Sequence, residues 1–256
     1  MRLDACLHFG IKGLGGGDIN QPVPHFFGQS LCDDAFSRSG AARDQYRLAH
    51  GVMKKQKQAA NERGITTVQT NGATQLYLIR HAPVIADGLV YGRRDLPADC
   101  GNAARFASLR ASLPDMDLVL SSPAKRCLQT AQMVWPKVKP RVEDALWEQS
   151  FGNWEGIPFA DIPDHGQLDG AELAAFTPPN GESFDDVCAR TAAIMGTLPA
   201  GRVAVVAHAG VIRAVLSQAL GGVPSALRFE IANLSLTSIL ILPERQYVVR
   251  EVNRCC

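Results

Sequence analysis

Short apolar segments that alternate with helical stretches constrain the fold of this 256-residue chain more than any other feature. The alternation begins at Thr74 and continues almost to the C-terminus. Its first three apolar segments are LYLI (76–79), DLVLSS (117–122) and RVAVVAH (202–208). Segments this short and this apolar are typical of strands that are buried on both faces of a parallel sheet.

Four helices are predicted between and after these strands, at residues 101–113, 123–135, 184–198 and 210–220. Strands that alternate with helices predict an α/β fold, a three-layer sandwich whose mostly parallel central sheet is covered on both faces. Two further segments, LTSILIL (236–242) and QYVVREV (246–252), are joined through Pro243 and predict a closing hairpin. This hairpin would give the sheet an antiparallel edge.

Two of the predicted helices carry start signals. Pro123 is predicted at an early helix position, with Ser121 or Ser122 as the N-cap. Ser183 precedes two acidic residues in SFDDVCARTAAIM, which favours a helix start at this serine.

The first 73 residues lack the regular pattern. They contain GLGGGD, QPVPHFFGQ and KKQKQAANERG, and no segment keeps a helical or strand period for long. Such a sequence does not bury enough apolar surface to offset its chain entropy, so residues 1–73 are predicted to be a poorly structured N-terminal extension. Met53 is an alternative start for a shorter chain. The predicted folded domain covers residues 74–252.

Composition argues against several classes of function. The formal net charge of +1 gives no reason to expect binding to nucleic acid or to an anionic membrane, and no apolar run approaches the roughly 20 residues of a membrane span. The seven cysteines form no C-x-x-C pair, which argues against a zinc ribbon. Their odd number argues against a disulfide framework, so a reducing cytoplasm is the predicted location.

Cationic side chains follow two of the predicted parallel strands. Arg80 and His81 end the LYLI strand, and His208 ends the RVAVVAH strand. Because the carboxyl ends of parallel strands meet at the edge where open α/β sheets bind ligands, these residues are expected to converge. Arg126, near the start of the helix after DLVLSS, is expected to join them. Arginine binds phosphate through two parallel hydrogen bonds and an uncharged imidazole is a good nucleophile toward phosphorus, so this pattern predicts a phosphate site.

The segment LYLIRHAPV resembles the Arg-His-Gly signature of the histidine phosphatase superfamily, which includes the cofactor-dependent phosphoglycerate mutases. Four further segments resemble motifs of that family in the family's order: SSPAKRCLQTA, LWEQSFGNWEG, PPNGESF and VVAHAGVIRAVL. The matches span residues 74–250 and none of the extension. The resemblance implies a phosphoglycerate mutase-like fold for the regular part of the chain.

The resemblance also implies phosphoryl transfer through a phosphohistidine. His81 would be the nucleophile. Arg80, Arg126 and His208 would bind the phosphoryl oxygens, and Glu148 would be the proton donor. No cofactor is implied. No aspartate-rich cluster accompanies the site, so these residues do not require a metal.

Other residues near these motifs have secondary roles. Tyr91, Gly92 and Arg93 are predicted to bind substrate, because this region of the family contacts substrate. Glu155 is expected to be structural or to lie at the rim of the site. His165 is expected to be exposed in a polar loop without a partner.

Three phrases, YGRRDLP, FGNWEG and PPNGESF, most resemble the α-ribazole phosphatase-like branch, which is linked to late steps of cobalamin synthesis. The implied activity is hydrolysis of a small-molecule phosphate ester, with α-ribazole 5′-phosphate as one candidate. Two alternatives stay open: a phosphoglycerate mutase, and a non-catalytic module that binds a phospho-ligand or a protein. The short segment between Phe151 and Pro179 favours an open site and therefore hydrolysis. The sequence does not indicate the oligomeric state.

The chain departs from the family pattern directly after the nucleophile. The family usually has Gly-Glu-Thr/Ser there, whereas this chain has Ala82-Pro83-Val84. Ala82 adds a methyl group near the phosphate, and Pro83 removes a backbone N–H donor. Substrate contacts made from these positions in the family are therefore expected to come from elsewhere.

Overall fold

The structure, a computed structural model, describes residues 72–85 and 88–255. The predicted N-terminal extension lies outside these residues except for its last two positions. The alternative start at Met53 lies outside them as well.

Six strands form one sheet in the order β3-β2-β4-β1-β5-β6. Their bounds are Thr74–Arg80 (β1), Leu118–Ser121 (β2), Arg141–Val142 (β3), Gly201–Ala207 (β4), Ser235–Leu242 (β5) and Gln246–Cys255 (β6). The four strands from β3 to β1 run parallel, and β5 and β6 continue the sheet in antiparallel pairings. The predicted parallel sheet with an antiparallel hairpin at its edge is confirmed.

Helices cover both faces of this sheet. Their bounds are Ala103–Ala111 (α1), Lys125–Val134 (α2), Gly170–Ala175 (α3), Phe184–Met195 (α4), Ala209–Leu220 (α5) and Val223–Ala226 (α6). On one face α4 and α5 pack against Leu76, Leu78 and Val205. On the other, α1 and α2 pack against Ile79 and Val206. Because successive residues of a strand point to opposite faces, the apolar strands fill two cores and produce the predicted three layers.

Register fixes which strand ends meet. Arg80 at the end of β1 pairs with Ala207 at the end of β4, and the His81 N–H donates to the Ala207 carbonyl at 3.0 Å. The residue after each strand is therefore a histidine at the same edge of the sheet, His81 beside His208. On the other side of β4, the Ser122 N–H donates to the Val206 carbonyl at 3.0 Å, which brings the end of β2 to the same place.

One predicted helix start is wrong and another is confirmed. Helix α2 begins at Lys125 rather than at Pro123, and its N-cap is Ala124, which has no side chain able to accept a hydrogen bond. The Ser122 hydroxyl instead accepts from the Ala124 N–H at 3.3 Å, in the turn before the helix. Ser183 caps α4 as predicted, in a capping box with Asp186.

The segment between Phe151 and Pro179 has more structure than its sequence indicated. It contains short 3₁₀ turns at Gly152–Trp154 and Phe159–Asp161, and helix α3 with Asp169 in a capping box. Val90, Phe151 and Trp154 form a small apolar core beneath it. In the part of the chain that the structure describes, no helix is long and apolar enough to cross a membrane.

Candidate active site

His81 is buried at the end of β1, and its surroundings fix which nitrogen carries the proton. Its Nδ1 lies 2.7 Å from the Ala82 carbonyl oxygen. A carbonyl oxygen only accepts, so Nδ1–H is the donor and the lone pair of the neutral ring lies on Nε2. Burial, followed by the charges of Arg80 and Arg126, lowers the pKa of His81 well below its usual value. The imidazole is therefore neutral at pH 7, with Nε2 in its nucleophilic form.

Hydrogen bonds from three different elements hold the backbone around His81. Its N–H is bound by β4, and the Asn233 side-chain amide donates to its carbonyl oxygen at 2.9 Å. The next N–H, that of Ala82, donates to the Thr130 hydroxyl at 2.9 Å. The Ala82 methyl is fully buried against the core under α2, whereas Pro83 is exposed. The departure from the family pattern thus leaves a small buried residue that fits this backbone.

His208 lies opposite His81, with ring centroids 5.2 Å apart in an edge-to-face arrangement. Arg126 Nε donates to His208 Nδ1 at 3.3 Å, so Nδ1 is an acceptor and Nε2 carries the proton. That Nε2 lies 2.8 Å from the Ser122 hydroxyl. Burial, followed by the charges of Arg126 and His81, lowers the pKa of His208 well below its usual value. Both histidines are thus neutral and oriented before any ligand arrives.

Arg126 is completely buried and connects the second strand end to the loop before α1. Its Nη1 and Nη2 donate to the carbonyl oxygens of Arg94 and Gly92, at 3.0 and 2.7 Å. Its guanidinium also lies over the Tyr91 ring, 5.3 Å from the centroid. A guanidinium has five N–H groups, and these contacts together with His208 use three of them. Two N–H groups are left for a ligand.

Arg80 supplies the second buried cation of the site. Its side chain is 6% exposed, and Nη1 donates to the Ile231 carbonyl oxygen at 2.6 Å. Its positive charge is the second cause of the lowered pKa of His81. Two buried guanidinium groups together with two neutral imidazoles create a strongly positive environment, which favours a dianion such as phosphate.

Glu148 is the buried carboxylate of the site. Its Oε2 accepts from the Gly210 N–H at 3.3 Å, at the start of α5 and two residues beyond His208. Its Oε1 accepts from the N–H of Gln149 at 3.1 Å. A Cβ added at Gly210 would lie 2.3 Å from Glu148 Oε1, so the glycine makes room for the carboxylate beside His208.

Charged pairs hold the loop that carries Glu148. Glu182 Oε2 accepts from the Ser150 N–H at 3.0 Å, and the same carboxylate pairs with Arg93 at 2.8 Å and with Arg190 at 3.2 Å. Glu155 Oε1 accepts from the N–H groups of Arg93 and Phe151, at 2.9 and 3.0 Å, which confirms its expected structural role. The guanidinium of Arg93 therefore lies at the rim, bound to Glu182.

The expectation that His165 has no partner is wrong. His165 is exposed, yet its ring lies 4.5 Å from Phe176 and 5.6 Å from Trp154, centroid to centroid. Trp154 and Phe176 also stack on each other at 5.6 Å. Sequence spacing gave no sign of this contact, because α3 and the turns before it bring the three rings together.

Cys127 follows Arg126 in α2, and its thiol lies 3.5 Å from His208 Nε2. Burial raises the pKa of this thiol to about 12, so it stays protonated and packs as a small apolar group. Its position beside His208 therefore does not make it a competing nucleophile.

The structure brings His81, His208, Arg126 and Arg80 together. Glu148 lies beside them on a loop, and its carboxylate contacts the first turn of α5. Sequence reasoning missed the polar side chains that position them, namely Ser122, Thr130 and Asn233. Ser122 and Thr130 lie in the same motif as Arg126, and the i, i+4 spacing from Arg126 to Thr130 was a usable signal. Asn233 carried no such signal. Within residues 72–85 and 88–255, no group of three or more His, Cys, Asp or Glu is placed to hold a metal ion.

Comparisons with known proteins agree with this geometry. Residues 76–254 match the family model of the histidine phosphatase superfamily, branch 1. The chain belongs to this superfamily. A bifunctional protein of Mycobacterium tuberculosis is 32% identical over 183 residues, which are 64% of this chain and 50% of that protein. This histidine phosphatase superfamily member thus spans about half the length of the mycobacterial relatives it matches.

Two further proteins that resemble this chain are matched over a larger share of their own length. The uncharacterized phosphatase PhoE of Bacillus subtilis is 26% identical over 169 residues, which are 60% of this chain and 80% of that protein. The crystal structure of the α-ribazole phosphatase from Shigella flexneri superposes with a TM-score of 0.60 at 25% identity. That match covers 71% of this chain and 97% of the other.

Proposed function

We propose that this chain hydrolyses phosphate monoesters of small molecules through a phosphohistidine formed on His81. The observation that carries the proposal is the state of this side chain. Its Nδ1–H is committed to the Ala82 carbonyl, which leaves the Nε2 lone pair available beside the buried cations Arg80 and Arg126. A phosphate dianion supplies the negative charge that such a site favours.

In the first step, His81 Nε2 attacks phosphorus in line with the departing alcohol. The N–P bond forms as the P–O bond to the leaving group breaks. Arg80 and Arg126 bind the equatorial oxygens and stabilise their charge in the transition state, and His208 joins them by turning its Nε2–H from the Ser122 hydroxyl to one of these oxygens. Glu148 in its protonated form gives its proton to the departing oxygen, which leaves as a neutral alcohol.

In the second step, water hydrolyses the phosphohistidine. The Glu148 carboxylate, now ionised, takes a proton from the water as its oxygen attacks phosphorus. The N–P bond breaks and its electron pair returns to His81 Nε2, which releases inorganic phosphate and restores both groups. The protein's own cations neutralise charge in both steps, so the proposed reaction needs neither a metal nor an organic cofactor.

The proposed substrate is a small ester rather than a macromolecule. α-Ribazole 5′-phosphate is the first ester to test, because the Shigella flexneri α-ribazole phosphatase is among the structures this chain resembles. Tyr91 and Arg93 are proposed substrate contacts at the rim of the site. Gly92 is proposed to act through its carbonyl, which holds Arg126 in place.

The test is phosphate release from a panel of monoesters that includes α-ribazole 5′-phosphate, with His81→Ala as the matched inactive variant. We expect release by the wild type, and a decrease in the variant to the uncatalysed rate, because the nucleophile is absent. Full activity in His81→Ala would overturn the assignment. A wild type that binds the esters in calorimetry without turnover would instead indicate the non-catalytic module.

A second assay separates hydrolysis from mutase activity. The wild type is incubated with 3-phosphoglycerate and a bisphosphoglycerate primer, and both 2-phosphoglycerate and free phosphate are measured. The proposal predicts free phosphate as the product that accumulates. Isomerisation without phosphate release would contradict it.

A further inference from the structure

A third buried arginine lies one helical turn beyond Gly210, in helix α5, whose first turn contacts Glu148. Arg213 in α5 is 1% exposed. Its Nε donates to the Phe229 carbonyl oxygen at 2.8 Å. Its Nη1 and Nη2 are buried and have no hydrogen-bond partner among the residues that the structure describes.

An arginine in this state is unusual, because burial of a charge is costly unless the charge is paired and hydrogen-bonded. Arg126, the other fully buried arginine, has acceptors on Nε, Nη1 and Nη2. Arg213 has an acceptor on Nε alone, and within residues 72–85 and 88–255 no carboxylate pairs with it. Acceptors for its two terminal nitrogens therefore have to come from outside the described residues.

Arg213 also lines a partly open cavity of about 40 Å³. The other walls of this cavity are mostly apolar side chains: Phe151, Trp154, Leu173, Phe176, Phe184 and Leu227. One water-sized group needs about 10–15 Å³ of such volume, so the cavity holds roughly three of them. A carboxylate group has three heavy atoms.

We propose that this cavity is a binding site for a small carboxylate that carries a short aliphatic chain. The two carboxylate oxygens match the two unpaired Nη groups of Arg213, because a guanidinium binds a planar carboxylate through parallel hydrogen bonds. The aromatic and leucine walls exclude water from that pair and contact the aliphatic chain, which extends toward the open side. The site uses none of the side chains that bind the phosphoryl group.

The carboxylate is either a free molecule or the far end of a phosphate ester bound in the active site. Gln149, which follows Glu148, also lines the cavity. The cavity is therefore on the side of the site from which the alcohol leaves. A carboxylate that belongs to the phosphate ester rests on the proposed hydrolysis, whereas a free carboxylate does not.

The first experiment measures thermal stability with increasing sodium butyrate, with sodium chloride at equal ionic strength as the reference. Wild type, Arg213→Met and Arg228→Met are compared, because Arg228 is an exposed arginine just beyond α6 and serves as the matched control. We expect butyrate to raise the Tm of the wild type and of Arg228→Met by roughly 5–10 °C at about 100 times its dissociation constant. Arg213→Met should show no such rise.

The second experiment compares kcat/KM for a phosphate ester of a hydroxybutyrate with that for its carboxyl methyl ester. If the carboxylate belongs to the substrate, the wild type prefers the free acid by about tenfold or more and Arg213→Met loses that preference. If the ligand is a free molecule, the preference is absent and the Tm response to butyrate remains, also in His81→Ala. Because His81→Ala lacks the nucleophile, its Tm response to butyrate tests the carboxylate site independently of the proposed hydrolysis.

The proposal is overturned if neither measurement depends on Arg213. Equal Tm shifts in wild type and Arg213→Met would show that butyrate acts elsewhere. If Arg213→Met does not fold, Arg213→Lys is used, because it keeps the charge but not the pair of parallel donors. A butyrate affinity in Arg213→Lys equal to that of the wild type would then contradict a bidentate site.

Discussion

The two sides of the candidate site are built in different ways. The phosphate side is defined here as Arg80, His81, His208 and Arg126. Its residues end a strand, directly follow one, or lie in the first turn of a helix. On the leaving-group side, residues 143–182, Glu148 lies on an irregular loop. That loop is held by the side chains of Glu155 and Glu182 rather than by the sheet.

Because the two sides are held differently, we expect the phosphate side to be general and the leaving-group side to be adaptable to different esters. Strand register fixes the distance between His81 and His208, so the machinery that handles a phosphoryl group is as rigid as the sheet. Side-chain ion pairs at the rim are easier to exchange, because each contributes little to overall stability. We therefore expect changes on the phosphate side to lower turnover most, and changes on the leaving-group side to alter it in smaller steps.

The largest effect is expected for Arg126→Lys. Lysine keeps the charge but cannot bind the Gly92 and Arg94 carbonyls and His208 together in one plane. We expect kcat/KM for the best ester of the panel to fall by about 10²–10³. Arg202→Lys, at a partly exposed arginine near the start of β4, is the matched control and should keep wild-type activity. A loss below about threefold in Arg126→Lys would show that the rigid side tolerates displacement.

A smaller effect is expected for Gly210→Ala, which tests the contact between the two sides. The new Cβ would lie 2.3 Å from Glu148 Oε1, so the flexible end of that side chain has to move away, which costs little in stability. We expect kcat to fall by about 10² because the proton donor is displaced, with an almost unchanged Tm. The control is Gly222→Ala, whose added Cβ meets nothing within 4 Å. An unchanged kcat in Gly210→Ala would remove Glu148 from its proposed role.

The buried histidines should make stability depend on pH. The folded-state pKa values of His81 and His208 are lowered, so the unfolded chain binds protons that the folded chain does not. Stability is therefore full above about pH 6.5 and falls at lower pH, by up to about 1.4 kcal/mol per pH unit for each histidine. Urea unfolding at pH 7, 6 and 5 measures this slope. His81→Asn removes one of the two titrating groups, so the slope should decrease by the contribution of one proton. An unchanged slope would contradict a neutral, buried His81.

The smallest effect is expected on the leaving-group side itself, in Glu182→Gln. This change removes the charge that pairs with Arg93 and Arg190 but keeps an acceptor for the Ser150 N–H. We expect a loss of about 1–2 kcal/mol in stability and up to about tenfold in kcat/KM. Asp117→Asn, which breaks an exposed pair with Arg202, is the control. A decrease in kcat/KM as large as that of Arg126→Lys would contradict the proposed difference between the phosphate side and the leaving-group side.

The same division explains what the sequence could predict. Apolar strands followed by Arg-His and by His carry a local signal, so a mostly parallel sheet and the meeting of His81 with His208 were predictable, whereas the strand order and the short β3 were not. The start of α2 was misplaced because the Ser122 hydroxyl accepts from the backbone in a turn before the helix and also contacts His208.

The loop side carried much less local signal. The contact of the His165 ring with Phe176 depends on how several short turns fold back together. The cavity beside Arg213 is lined by side chains from α3, α4 and the segment after α6. No spacing rule reports contacts between elements so far apart in sequence, which is why the cavity was not foreseen.

Phosphoryl transfer to His81 is tested most directly by trapping the phosphoenzyme. Wild type, His81→Ala and His208→Ala are mixed with a hydrolysable ester, quenched in alkali within milliseconds, and examined by ³¹P NMR and by peptide mass spectrometry. We expect a phosphohistidine at Nε2 of His81 in the wild type and none in His81→Ala. Phosphate on His208, or phosphate release by the wild type with no phosphorylated His81 at any quench time, would contradict it.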